Sequence, residues 1–263
     1  TAALCRVYLS VQDHAEKRIL MNLFACHVSP EVAATLWCER KQLLNGGRLT
    51  PQRLTVTVLF ADLRGFAAIA EGLEPASLMA WLNGYMAAMT EVVMAHGGIV
   101  KQYVGDQIMA LFGAPTPRQT AGEIAEDARR AVQCGLAMGE RLQQLNIAWT
   151  AQGLPTVAVR IGIHTGPLVA GSLGGQRRQE YAVVGDTVNI ASRLESHDKQ
   201  VPEAAGLACR ILISAVTAEA LDDRFRVTAV GRVRLKGRQQ DLMVYRVAGM
   251  TVPDGMRQSS CPD

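Results

Sequence analysis

Two aspartates lie where strand-like segments of this 263-residue chain turn. Asp62 follows the β-branched and apolar run 54–60, and Asp106 belongs to the Gly-Asp pair between the runs 99–104 and 107–112. The two-residue spacing predicts a hairpin with Asp106 at its tip. Both carboxylates then meet at one edge of a sheet, where ionised groups about 4 Å apart repel by roughly 4 kcal/mol at an effective dielectric of about 20. Mg²⁺ or Mn²⁺ would neutralise such a pair, so the pattern predicts a divalent-cation site.

Each aspartate also has a simpler interpretation as a turn residue. Asp62 can begin a turn after a buried strand, and Asp106 can be an ordinary hairpin residue, since both uses of aspartate are common. Taken singly, each residue favours the simpler interpretation. Only the neighbouring motifs favour the metal site.

The segments around these aspartates alternate between strand and helix patterns. Apolar residues at helical spacing from Leu78 to Val93 predict a helix that ends at the Gly97-Gly98 pair. A second helix is expected at about 121–145, a strand at 157–164 and a third helix at about 187–196. The resulting β-α-β-β-α-β order is typical of a ferredoxin-like α/β sandwich.

Later segments add to this core. Strand-like pieces at 211–213, 226–230 and 243–247 are expected to extend the sheet. The Gly-rich stretch Gly171–Gly175 lacks the Gly-Lys-Ser/Thr ending of a phosphate-binding P-loop. We therefore expect it to be a flexible surface loop.

Turn residues divide the chain into three regions. Residues 1–48 have helical spacing and then the Asn45-Gly46-Gly47 turn, so we expect a helical lead-in and linker. Residues 49–248 hold the predicted α/β domain, and 249–263 are expected to form a flexible tail. Because the chain begins with Thr1 inside a helix-like pattern, we expect it to be cut from a longer protein with an upstream sensor region.

Composition limits the class of protein. Hydrophobic residues make up 49% of the chain and charged residues 19%, as in a globular domain, and the net charge of +3 is too small to favour nucleic acid as a partner. Six separated cysteines without a C-x-x-C pair indicate a reducing compartment. No apolar run reaches the roughly 18 to 20 residues that span a bilayer. We expect a cytoplasmic domain, and the pattern is compatible with a full-length protein that is free or membrane-bound.

Four long motifs resemble a known family. They are VLFADLRGF (58–66), VGDQIMALFGAP (104–115), RIGIHTG (160–166) and VGDTVNIASRLE (184–195). In the same order and at similar spacing, they resemble the catalytic domains of bacterial class III adenylyl and guanylyl cyclases. The resemblance covers roughly residues 54–247 and implies a palm-type cyclase fold.

The resemblance also implies roles for individual residues. It makes Asp62 and Asp106 ligands of two divalent cations, with the backbone carbonyl of Leu63 as a further ligand. Asn189 and Arg193 match the residues that orient the ribose and stabilise the transition state. Substrate-binding positions implied in the same way are Phe66 and Lys236, the lysine at the terminal phosphates. A Lys-Gly turn between strands and an exposed polar helix face are the simpler interpretations of Lys236 and of the Asn189–Arg193 pair.

Two base-reading positions depart from the family pattern. Gln102 stands where adenylyl cyclases often have lysine and guanylyl cyclases an acidic residue, and Ala182 stands where an aspartate or threonine is common. A glutamine amide can donate or accept, so it matches adenine or guanine. Lys101 is adjacent, but strand alternation predicts that its side chain points to the other face. We expect a preference for ATP with measurable use of GTP.

Three functions compete. An active homodimer would join Asp62 and Asp106 of one subunit to Asn189, Arg193 and Lys236 of the other. A cyclase-homology module kept for dimerisation and signal relay is the second, and retention of both carboxylates argues against it. A cyclic-dinucleotide synthase is the third, and the chain has no Gly-Gly-Asp/Glu-Glu-Phe signature.

Overall fold

The computed structural model describes residues 44–45, 48–175, 178–197, 208–234 and 241–251. Residues 1–43 of the predicted helical lead-in and linker (1–48), Lys236, and residues 252–263 of the predicted tail (249–263) lie outside the described residues. Among the helices that the structure describes, none has the length and apolar character needed to cross a membrane.

Strands and helices alternate along the described chain. The strands are β1 (Leu44–Asn45), β2 (Arg48–Leu49), β3 (Gln52–Leu63), β4 (Ile99–Val104), β5 (Gln107–Phe112), β6 (Val159–Gly175), β7 (Arg178–Val184), β8 (Cys209–Ser214), β9 (Phe225–Val233) and β10 (Leu242–Met250). The helices are α1 (Phe66–Gly72), α2 (Pro75–Ala95), α3 (Ala121–Ala151), α4 (Asp186–Glu195) and α5 (Ala215–Glu219).

One large sheet organises these elements. Its strand order is β4-β5-β3-β6-β8-β10-β9, and β7 pairs with β6 outside that path. The β6–β8 pair is parallel and the other pairs of this sheet are antiparallel. The elements β3-α2-β4-β5-α3-β6 form the predicted β-α-β-β-α-β unit, which confirms the α/β sandwich.

The central strand β3 is buried on both sides because its run of apolar residues has no polar alternation. Leu59, Ala61 and Leu63 face a cluster that α2 and α3 cover, which we call the first core. Val58 and Phe60 face a cluster on the opposite side, which we call the second core. The second core also contains Ile99 and Met109 from the β4–β5 hairpin, Tyr181 of β7 and Ala191 of α4. The end of β3 is therefore fixed from both faces of the sheet.

The expected surface loop at Gly171–Gly175 is wrong, because these residues form the end of β6. They pair in antiparallel register with β7, from Gly171 opposite Ala182 to Gly175 opposite Arg178, and β7 was not predicted. Glycine is favoured at Gly171, since a Cβ there would lie 3.0 Å from Cα of Pro51, a tight contact with the backbone. Glycine inside a strand marks such close backbone approaches.

Helix α4 packs on β6 without space for a side chain between them. At Gly162 a Cβ would overlap the backbone nitrogen of Glu195 and the backbone oxygen of Ala191. Because both obstacles are backbone atoms, they cannot rotate away. The absence of a side chain at Gly162 therefore sets the position of the end of α4 over the sheet.

We predict that Gly162→Ala lowers the free energy of unfolding by at least about 1–3 kcal/mol, the usual range for overpacking. The matched control is Gly84→Ala on α2, where the added Cβ meets nothing within 4 Å. That change should stabilise the helix by roughly 0.4–1 kcal/mol, since alanine has less freedom in the unfolded chain. Urea unfolding of both variants tests the packing, and equal stability of Gly162→Ala and wild type would contradict it.

Candidate active site

Asp62 and Asp106 come together at one end of the sheet. Asp62 is the penultimate residue of β3, Asp106 lies in the turn between β4 and β5, and the antiparallel β3–β5 pairing places the two strand ends side by side. The Leu63 backbone N–H donates to Oδ2 of Asp106 at 3.1 Å. The predicted convergence of the two carboxylates is present.

The electrostatics of this pair are unfavourable without a cation. Burial first, and then the negative charge of Asp62, raise the pKa of the Asp106 carboxyl above its ordinary value. Because the Leu63 side chain is buried, only its backbone is available to the site. The residues present therefore fit a divalent cation, which would relieve the repulsion.

Arg160 of β6 is the nearest counter-charge, and the sequence analysis missed it. It lies opposite Asp62 in the β3–β6 register, with Nη2 2.7 Å from Oδ2 of Asp62. Its Nε lies 3.2 Å from Oε1 of Glu195, at the end of α4. Arg160 therefore bridges a carboxylate of the sheet and a carboxylate of the helix.

Glu195 is a third carboxylate at this site, and it was also missed. Its side chain is buried, and burial followed by the charge of Asp62 raises its pKa to about 7, although Arg160 and Arg210 oppose the shift. Gln107 Nε2 donates to Oε2 of Glu195 at 3.4 Å. Arg160 and Glu195 both lie inside the quoted motifs, but their meeting depends on a β3–β6 register and a helix position that local sequence does not contain.

The carboxylates do not form a complete metal cage. Within the described residues, no group of three or more His, Cys, Asp or Glu side chains is arranged to hold a metal ion. Mg²⁺ commonly binds through one or two carboxylates together with substrate phosphates. The pair Asp62 and Asp106 fits that second type of site.

Asn189 and Arg193 lie on α4, four residues apart and therefore on one side of the helix. Asn189 is exposed and Arg193 is half-buried, whereas Ile190, Ala191 and Leu194 on the other side are buried. Neither Asn189 nor Arg193 makes a hydrogen bond or ion pair to Asp62 or Asp106 in the described part of the chain. The structure does not bring the predicted catalytic pair to the predicted metal ligands within one chain.

The remaining predicted residues lie on different elements. Phe66 begins α1, is half-buried and stacks on Trp81 with ring centroids 6.5 Å apart. Ala182 is a half-buried residue of β7, opposite Gly171. His164, expected to be packed or hydrogen-bonded, is buried, and its Nδ1 lies 2.7 Å from Oγ of Ser214.

Gln102 lies exposed on β4, next to an irregularity in the strand at Lys101. Val100 pairs with Ala110, and Gln102 pairs with the next residue, Met109, so Lys101 is the extra residue of a β-bulge. Alternation stops at a bulge. The expectation that Lys101 and Gln102 point to opposite faces therefore stays a prediction, because simple alternation does not hold at this position.

One family model matches the part of the chain that contains these elements. Residues 50–249 match the model described as the adenylate and guanylate cyclase catalytic domain. The chain belongs to this cyclase family. The matched range begins and ends one residue later than the predicted α/β domain of 49–248, and it includes all of the predicted site residues.

Individual cyclases are similar over most of this domain. Adenylate cyclase 1 of Rhizobium meliloti (strain 1021) is 37% identical over 205 residues, which are 78% of this chain and 29% of that protein. Adenylate cyclase of Anabaena cylindrica is 33% identical over 201 residues, which are 73% of this chain and 36% of that protein. The chain thus spans about a third of the length of these two relatives.

Solved cyclase domains share the fold. The adenylyl cyclase CyaB from P. aeruginosa aligns with a TM-score of 0.68 and 34% identity, covering 76% of this chain and 96% of that one. The guanylyl cyclase Cya2 aligns with a TM-score of 0.67 and 37% identity, covering 79% of this chain and 98% of that one. Similarity to one adenylyl and one guanylyl cyclase at nearly equal levels does not favour either nucleotide.

The raised pKa of Glu195 predicts how the stability of the metal-free cyclase domain depends on pH. The unfolded carboxyl releases its proton near its ordinary pKa of 4.5, whereas the folded one holds it to about pH 7. The folded state therefore binds more protons between these values, and the free energy of unfolding falls as pH rises from about 4.5 to about 7. Glu195→Gln, which cannot ionise, should remove this part of the slope.

The measurement is urea unfolding at several pH values with a chelator present. Glu91→Gln changes an exposed carboxylate on α2 and serves as the matched control, which should keep the wild-type slope. An unchanged slope in Glu195→Gln would mean that this group does not retain its proton in the folded domain.

Proposed function

We propose that this domain converts ATP into 3′,5′-cyclic AMP and pyrophosphate. The observation that carries the proposal is the convergence of Asp62 and Asp106 at the end of β3, within motifs shared with the cyclase family. The adenylate cyclases of Rhizobium and Anabaena, whose names state this activity, support it.

Two divalent cations, Mg²⁺ or Mn²⁺, would be held by the carboxylates of Asp62 and Asp106 and by the Leu63 backbone carbonyl. When bound, they favour ionisation of the ribose 3′-hydroxyl and offset charge on the triphosphate. The Asp62 carboxylate forms an ion pair with Arg160, and Arg160 forms a second ion pair with Glu195. Arg160 and Glu195 therefore hold the Asp62 side chain at the edge where the cations would bind.

The reaction is an internal displacement at the α-phosphorus. The 3′-oxygen forms a bond to phosphorus, the bond to the pyrophosphate oxygen breaks, and the proton of the 3′-hydroxyl is released. Asn189 would orient the ribose for in-line attack, and Arg193 would donate to the α-phosphoryl oxygens as charge develops. Phe66 and Lys236 would bind substrate, with Lys236 at the terminal phosphates.

A homodimer would complete the site. Asn189 and Arg193 do not contact the two aspartates within one described chain. A two-fold axis would bring Asn189 and Arg193 of each subunit to the aspartates of the other and so form two equivalent sites. The β4–β5 and β6–β7 hairpins expose large apolar side chains that such a partner could cover. These are Tyr103, Val104, Val169, Leu173 and Val184. Exposed apolar patches of this kind mark interaction surfaces.

Guanylyl or mixed activity is the second candidate. Gln102 has no fixed hydrogen-bonding polarity, Ala182 has no polar side-chain atom, and a guanylyl cyclase is 37% identical to this chain. Incubating the domain with Mn²⁺ and either ATP or GTP, followed by separation of the products, distinguishes the candidates. We expect cyclic AMP in excess over cyclic GMP.

Either Asp62→Asn or Asp106→Asn should lower Mn²⁺-dependent kcat by about a hundred-fold or more, since each removes a charge that the cations require. Calorimetric titration with Mn²⁺ and nucleotide should show weaker cation binding in both variants. Full turnover in either one would remove the metal-site assignment. Glu91→Gln, on an exposed surface of α2, is the control and should behave as wild type.

Mixing Asp62→Asn with Arg193→Ala tests the shared site. Each variant should be inactive alone, because every site in its homodimer carries the defect. In a mixed dimer one site collects both defects and the other has none, so activity should recover towards half of the wild-type value per mixed dimer. Absence of recovery, with subunit exchange shown by tagged copies, would contradict a site built from two chains.

A further inference from the structure

The last turn of α4 carries a side chain that contacts two strands of the sheet. Glu195 is the final residue of α4, and its carboxylate is buried. Its Oε1 lies 3.2 Å from Nε of Arg160 on β6. Its Oε2 accepts a hydrogen bond from Nε2 of Gln107 on β5 at 3.4 Å. The two oxygens of one carboxylate therefore tether α4 to two different strands.

Each of these contacts leads to one of the paired aspartates. Nη2 of Arg160 lies 2.7 Å from Oδ2 of Asp62. Gln107 is the first residue of β5 and directly follows Asp106 in the chain. The carboxylate on α4 is thus linked to both residues that would hold the cations.

The Arg160 guanidinium is shared between two carboxylates. The Asp62 side chain is 20% exposed and the Glu195 side chain 3%, so neither ion pair is fully screened by water. Because Glu195 attracts the guanidinium, Arg160 competes less with a cation for Asp62. Removal of the Glu195 charge would leave the guanidinium more fully to Asp62 and so weaken cation binding.

The same carboxylate helps to hold the end of α4 in place. The backbone contact at Gly162 and the hydrogen bond from Arg210 to the Glu195 backbone oxygen act on the main chain of the helix. The side-chain contacts of Glu195 add a tether to β5 and β6. Arg193 lies two residues earlier, about 200° around the helix, and faces away from these contacts. A displacement of the last turn of α4 therefore displaces Arg193.

In the proposed homodimer, Arg193 does not serve the aspartates that lie beside Glu195. It completes the site that contains the aspartates of the partner subunit. Glu195 therefore lies between two sites. It is tethered to the aspartates of its own chain, and it is two residues away from the arginine that acts in the other site.

We propose that Glu195 is a positioning residue for both active sites of the homodimer. Through Arg160 it keeps Asp62 available to cations in one site, and through the last turn of α4 it holds Arg193 for the other site. The inference rests on the proposed function, which places Arg193 in a site shared between two chains. It implies that one substitution causes two different defects, depending on which chain of the dimer carries it.

A mixed dimer with one complete site separates the two roles. One chain carries Arg193→Ala and supplies intact aspartates, and the other carries Asp62→Asn and supplies an intact Arg193. Homodimers of either chain are inactive, so the measured turnover belongs to the mixed dimer. Glu195→Gln, which removes the charge and keeps the shape, is then placed in one chain or the other.

The two placements should give different defects. In the chain that supplies the aspartates, Glu195→Gln should raise the Mn²⁺ concentration for half-maximal activity by about ten-fold and leave kcat nearly unchanged. This is the lower end of the usual effect of changing a residue that orients a metal ligand. In the chain that supplies Arg193, Glu195→Gln should lower kcat by about ten-fold and leave the Mn²⁺ requirement unchanged, because only the alignment of the arginine is affected.

The assays are run at about pH 8.5, above the pKa of about 7 of Glu195, so that the wild-type carboxylate is charged. Glu91→Gln, on the exposed side of α2, is the matched control and should change neither quantity from either chain. Thermal unfolding shows whether each variant is folded. If Glu195→Gln is not, Glu195→Asp replaces it. This variant keeps the charge but withdraws the carboxylate by one methylene, and it should show the same two defects at smaller size.

The same defect from both chains, or no defect from either, would overturn the double role of Glu195, since a purely structural residue acts alike in both places. The mixed dimer without any change at Glu195 is the separate test of the proposed function. If it is inactive although subunit exchange is shown, the shared site and the double role both fail. If it is active and the two placements do not differ, the role of Glu195 alone fails.

Discussion

Three carboxylates held close together by one sheet and one helix are the central electrostatic constraint on this domain. Asp62 and Asp106 are fixed by the β3–β5 pairing, and Glu195 by the end of α4. Arg160 offsets part of the resulting repulsion. Burial first, and then the charge of Asp62, still raise the pKa values of the Asp106 and Glu195 carboxyls. A site with this residual negative charge favours cations.

Backbone packing enforces that charge arrangement. The contact between Gly162 and the last turn of α4 brings Glu195 over the strand that carries Arg160, two residues earlier. The Arg210 guanidinium also donates to the Glu195 backbone oxygen at 2.7 Å. The close backbone contact at Gly162 and the hydrogen bond from Arg210 thus fix the position of the end of α4. The acidic site depends on both contacts.

The sequence predicted those parts of the fold whose strands and helices are bounded by turn residues next to them in the chain. The Gly-Asp pair separates two apolar runs, and β4 and β5 have the predicted bounds 99–104 and 107–112. Prediction from sequence failed where the structure depends on pairing with other strands. Residues 171–175 form a strand because β7 pairs with them. The bulge at Lys101 is visible only in the register of β4 with β5. Arg160 and Glu195 were missed for the same reason.

Strand β6 runs without interruption from Val159 to Gly175. Its first part lies between β3 and β8 and carries Arg160, and its last part leaves the neighbouring strands and pairs only with β7. At about 3.3 Å per residue, this single strand connects the charged site to the outer hairpin over roughly 50 Å of contour. No loop interrupts β6 between these two ends. A displacement of the β6–β7 hairpin is therefore transmitted along the strand to the Arg160 guanidinium that holds Asp62.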